Sequence, residues 1–180
     1  PKIEEKKIVS GAKNILKNYD TNLATTQFKK MGDFRVSDTQ SIIRKGLEKL
    51  IEEGSLKKAV EASEKLKEDL KIDINLGKLE NLEGRIGKGV LHLFGKGLFA
   101  DASGVLDLAS KKLGVQVDVR EISGIKEKAH DSLLPVLDEG KFSELNKRIS
   151  VLDKLGIGPI FGEGDRLIFE MKLMTELIQG

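Results

Sequence analysis

The chain reads as mainly α-helical: tandem two-helix repeats of about 43 residues, stacked in a single α-solenoid-like domain, with short extended connectors able to form minor strands. Three observations predict this. Gly54, Gly97 and Gly140 are evenly spaced, 43 residues apart. The apolar residues around them recur at the same offset: Ile43, Ile86 and Ala129; Leu47, Val90 and Leu133; Leu50, Leu93 and Val136; Ile51, Phe94 and Leu137; Leu56, Phe99 and Phe142. Within one copy, positions 43, 47, 50 and 51 form one helical stripe, and positions 56, 59, 63 and 66 a second, which Ser63 breaks in the first copy. Glycine adopts the left-handed conformation that ends a helix, so each repeated glycine reads as the turn between helix A and helix B. A two-helix unit with one apolar stripe per helix cannot bury both stripes alone, and stacking on its neighbours does so.

Taken in order, residues 3–18 read as a helix with Ile8, Ala12, Ile15 and Leu16 on one face, and residues 22–31 as a second helix. Together they make a degenerate first unit, 1–36, and Gly32-Asp33 a turn. The first full unit is about 37–79, opened by a Ser37–Gln40 capping box, with helix A to about Glu53 and helix B from Ser55 to Leu70. The second is about 80–122 and the third about 123–165. In the third, helix A is expected from about Asp131, with Pro135 in its first turn, where a missing N–H does little harm. A C-terminal half-unit, 166–180, would turn Leu173 and Leu177 toward the third unit. Beyond helix B the third copy slips by one residue, so that Leu70 and Leu113 match Leu155, and Ile72 and Val115 match Ile157.

Alternating segments follow each helix B: Ile72 to Leu76, Val115 to Val119 and, less regularly, Ile157 to Phe161; Phe34-Arg-Val36 resembles them. Period two is a strand signal, but it also suits an ordered linker that packs every second side chain on the stack, and the linker is the reading taken.

Composition narrows the function. Charged residues make up 33% of the chain, yet the net charge is +2, which gives no strong nucleic-acid signal. Aromatics are 4% and Trp is absent, so base-stacking platforms are scarce. Without cysteine there is no disulfide, thiolate metal site or cysteine nucleophile. No apolar run is long enough for a membrane-spanning helix. A soluble, cytoplasmic protein is expected; the chain begins at Pro1, which leaves open a targeting segment already removed.

No motif points to catalysis, a cofactor or a metal. Gly84-Arg-Ile-Gly87-Lys-Gly89 has the flavour of a phosphate loop but lacks its first glycine and its Ser/Thr. Leu155-Gly-Ile157-Gly-Pro159 resembles the hairpin of helix-hairpin-helix motifs over five residues only, and reads better as a helix end followed by proline. His92 and His130 occupy different repeat columns and have no metal-binding partner four residues on. Ser10, Ser103 and Ser123 lack a nucleophile elbow, and the carboxylates alternate with lysines as on a solvated face.

The second unit is glycine-rich, and its helix A is apolar nearly all round. Central burial explains this, and so does a contact for an apolar guest or partner at Leu93, Phe94, Leu98 and Phe99; burial is the reading taken. The expected function is a non-catalytic protein–protein interaction or scaffold module, its partner another protein. The alternative is an apolar small-molecule or lipid carrier with a cavity near the second unit, and an enzyme with a dispersed site ranks third.

Overall fold

A computed structural model describes residues 36–179, together with residues 7, 10–12 and 14. The protein is mainly α-helical, and among the described residues no strand forms. From Val36 onward its α-helices are α1 (Val36–Glu52), α2 (Leu56–Leu70), α3 (Leu82–Gly95), α4 (Phe99–Leu108), α5 (Ile125–Asp138), α6 (Phe142–Lys154) and α7 (Glu163–Gln179). Each of the pairs α1–α2, α3–α4 and α5–α6 packs as a hairpin. Across pairs, α3 lies between α1 and α5, while α4 lies between α2 and α6.

The three repeated glycines sit at the hairpin turns. Gly54, Gly97 and Gly140 have φ of 81°, 70° and 69°, a region that residues with a Cβ resist. The same bond closes each turn. The N–H of Ser55 donates to the Leu50 carbonyl at 2.8 Å, that of Leu98 to Leu93 at 3.0 Å, and that of Lys141 to Val136 at 3.1 Å. These bonds satisfy carbonyls that a helix end would otherwise leave unpaired.

The columns named above supply much of the core. Ile43, Ile86, Ala129, Leu47, Val90, Leu133, Ile51 and Phe94 are wholly buried. Burying each large side chain of this kind contributes roughly 1.5–3 kcal/mol. Ala12 is buried in the same core, and Gly11 lies against the side chain of Leu70. Ile8, Ile15, Leu16, the 22–31 helix, Gly32-Asp33 and Phe34 lie outside the described residues.

The connectors are one-sided linkers. Ile72, Ile74 and Leu76 are buried, whereas Lys71, Asp73 and Asn75 face solvent. Instead of pairing, they end in single 3-10 turns at Leu76–Lys78 and Val119–Glu121. A side chain starts each turn: the Asn75 Oδ1 accepts from the Gly77 N–H and the Asp118 Oδ1 from the Arg120 N–H, both at 3.0 Å.

Three details depart from the sequence reading. Helix α1 is already under way at Val36, so Ser37 lies within it rather than at its cap. Helix α5 begins at Ile125, six residues before the expected Asp131. Gly124 (φ 77°) redirects the chain there and Ile125 is buried, which starts the helix earlier. Pro135 consequently lies inside α5, near its C-terminal end; both it and Asp131, whose carbonyl it leaves without a helical donor, are exposed to water.

The one-residue slip has a structural origin. The Ile72 N–H reaches back six residues to the Leu66 carbonyl (3.1 Å), and Val115 reaches back six to Ala109 (3.2 Å). Ile157 reaches back only five, to Leu152 (2.9 Å). In the second copy the last turn is wound as a π-helix, Ala109–Leu113.

Candidate interaction surface

Of the four residues singled out in the second unit, three belong to the interior. Phe94 and Phe99 meet edge to face, with ring centroids 4.9 Å apart and planes at 64°, and both are buried. Leu93 is 7% exposed and lies beneath Gly54, while Leu98 is 42% exposed. The near-continuous apolarity of α3 reflects burial on two sides: Leu82, Ile86, Val90, Leu93 and Phe94 fill the core, and Gly89 presses against the last turn of α1.

An open groove of about 630 Å³ lies between α2 and α4. Its floor is apolar: Leu93, Val105 and Leu108, with Gly104 beside them. Apart from its own stretch of helix, nothing lies within 4 Å of where a Gly104 side chain would begin, so the missing methyl leaves real space. The rim is charged. Lys57 and Lys58 line the α2 side, Asp101 and Asp107 the α4 side, and Asp107 holds Lys111 at 2.8 Å. Among the described residues, Lys57 and Lys58 form no ion pair, so their charge is available to an anionic group. Sequence reasoning found Leu93 but missed the groove. The other lining residues lie mostly on α2 and α4, far apart along the chain, and look like ordinary helix-surface positions when read singly.

A second apolar surface runs along α7. Leu167, Met171, Met174 and Ile178 are between 60% and 81% exposed, and Leu173 and Leu177 are also exposed. This corrects the expectation that Leu173 and Leu177 face the third unit. The helix is held from its other side. Lys172 Nζ lies 3.1 Å from the Asp138 carboxylate and 3.2 Å from its carbonyl, and the Asp165 carboxylate lies 3.3 Å from Nε2 of His130.

Among the described residues no cluster of three His, Asp or Glu side chains could hold a metal ion, and every buried side-chain nitrogen and oxygen has a partner. The Arg120 side chain, then its N–H, hold the Asp118 carboxyl down at about 2, on an exposed turn. Glu139 raises Lys141 by a hydrogen bond, again in the open. His92 is exposed, whereas His130 lies between Asp131 and Asp165 beside the Phe161 ring. The Gly84–Gly89 run lies inside α3, in regular helix rather than in a loop ahead of one, so it does not form a phosphate loop. Gly156, with φ of 75°, ends α6 ahead of Pro159.

No helix among the described residues is long and apolar enough to cross a membrane. Compared with protein-family models, with curated proteins and with solved structures, the chain matches none.

Proposed function

We propose that this protein is a non-catalytic protein–protein interaction or scaffold module, built as an α-solenoid-like stack of two-helix units. The units are 37–79, 80–122 and 123–165, with a degenerate unit before them and a half-unit after. The identical bonds at Gly54, Gly97 and Gly140, and the side-by-side order of α1, α3, α5 and of α2, α4, α6, support this reading.

The observation that carries the function is the α2–α4 groove. Its apolar floor between charged rims fits a protein segment with alternating apolar and acidic side chains, the latter meeting Lys57 and Lys58. A groove of this kind arises between successive helices B, so stacking itself creates the binding surface.

The test is selection of a displayed peptide library on the immobilised protein. Expected are sequences rich in apolar and acidic residues, whose binding is lost in Gly104→Phe, which fills the groove, and weakened in Lys57→Glu/Lys58→Glu. No enrichment, or binding indifferent to both variants, refutes the reading. An apolar dye bound at unit stoichiometry and displaced by Gly104→Phe favours the small-molecule alternative instead.

A further inference from the structure

The exposed face of α7 has a pattern that the groove does not explain. Leu167, Met171, Met174 and Ile178 are spaced four, three and four residues apart. That is the d-a-d-a seam of a coiled coil, the arrangement in which a helix buries one apolar edge against another helix. Its four members are all at least 60% exposed. Two of the groups that tie α7 to α5, Asp165 and Lys172, are seven residues apart and share a different face. The four seam side chains are thus turned to solvent, on a different face from these two contacts. A helix carrying this much apolar surface is ordinarily covered.

The spacing also says what covers it. Four-three-four reads the same in both directions, so the seam is complementary to itself under a two-fold axis. In an antiparallel pair, Leu167 of one copy meets Ile178 of the second and Met171 meets Met174. These are the a-against-d layers such helices form. No charged residue lies on the seam, and Glu170 falls opposite Thr175 of the second copy, so no two carboxylates are forced together. With Leu177 on its flank, the seam offers on the order of 600 Å² of exposed apolar surface per copy, the lower end of what a specific interface buries.

We infer that α7 is a self-association helix, and that two copies of this chain dimerise through an antiparallel α7–α7 seam. This is independent of the groove: a dimer without peptide binding, or peptide binding without a dimer, separates the two readings.

Sedimentation equilibrium on the whole chain is expected to give about twice the chain mass of 19.8 kDa. Met171→Glu/Met174→Glu places carboxylates in the seam and is expected to weaken dimerisation by about a hundredfold or more, with the helical circular dichroism retained. The native chain has no cysteine, so a crosslink reports the register. Leu167→Cys/Ile178→Cys is expected to form a covalent dimer on oxidation, and Leu167→Cys alone is not. Within one chain those two positions are eleven residues apart on one helix, about 16 Å, too far for a disulfide. A monomer at every concentration, a dimer untouched by the two glutamates, or crosslinking through Leu167→Cys alone would each overturn the inference.

Discussion

Two glycines inside helices should respond in opposite directions to the same substitution. Alanine is the better helix former by about 0.8–1.0 kcal/mol, so on propensity alone Gly89→Ala and Gly104→Ala would both stabilise. The surroundings separate them. A Cβ at Gly89 would fall well inside 3.0 Å of the Ile51 carbonyl oxygen, at 3.0 Å from the Gly54 nitrogen and 3.1 Å from its Cα. These are backbone atoms of the turn that ends α1, and they cannot rotate aside. Relieving the contact means moving α3 away from α1, an overpacking strain of about 1–3 kcal/mol and here near the upper end. Subtracting the propensity gain leaves a net loss of about 1–2 kcal/mol. At Gly104 nothing apart from its own stretch of helix lies within 4 Å, so the gain should survive almost whole, at about 0.5–1 kcal/mol. For a chain of this size about 1 kcal/mol moves Tm by roughly 2–4 °C. Urea unfolding followed by circular dichroism, with thermal melts alongside, reads both variants. A Gly89→Ala protein as stable as the native one would refute the close approach of α1 and α3. A destabilised Gly104→Ala protein would refute the open groove wall.

Other outcomes follow from the same structure. Gly97→Val should lose about 1 kcal/mol or more, because a β-branched residue resists φ of 70° and its Cβ would crowd the Arg148 guanidinium; an unchanged melt would place the turn elsewhere. Arg85, on α3, bonds the Glu80 carbonyl and pairs with Glu48 and Glu52 of α1, all three of these charged side chains being less than a third exposed. Arg85→Ala should therefore cost about 1–2 kcal/mol in urea unfolding, and an unaltered midpoint would show that α1 and α3 do not depend on the pair. Asp118 should titrate near 2 by carboxyl NMR, against the ordinary 3.8, and Arg120→Ala should return it toward that value. Because the folded pKa is the lower one, this turn's contribution is present above about 4 and fades as pH falls through about 2. A normal titration in the native protein would mean that Arg120 does not hold the carboxyl.

What could be read from the sequence is what neighbours along the chain decide. The turns at Gly54, Gly97 and Gly140 need a positive φ and one bond spanning five residues, and both are local requirements. Helical stripes are local in the same way, which is why Ile43, Leu47 and Ile51 were recognisable as core. The connector Ile72–Leu76 was ambiguous because a strand and a one-sided linker share a period of two, and only the presence or absence of a partner separates them. Pro135 was misplaced because the start of α5 is set by Gly124 and by the burial of Ile125, six residues upstream of the expected start.

The interaction surfaces were legible only in part. Leu93, Phe94, Leu98 and Phe99 are alike in sequence, yet Phe94 and Phe99 face each other in the core while Leu98 meets water. Lys57 and Gly104 line one groove although they are far apart along the chain. The composition of α7 announces an apolar helix, but only the structure shows Lys172 and Asp165 reaching Asp138 and His130 while Met171 and Ile178 stay exposed. By itself the sequence determined the helical stripes, the three glycine turns and which side chains are apolar, because backbone sterics and short-range hydrogen bonds act between near neighbours. Only the tertiary structure decided which apolar side chains are covered and which line a surface, because exposure depends on segments that sequence distance does not bring together.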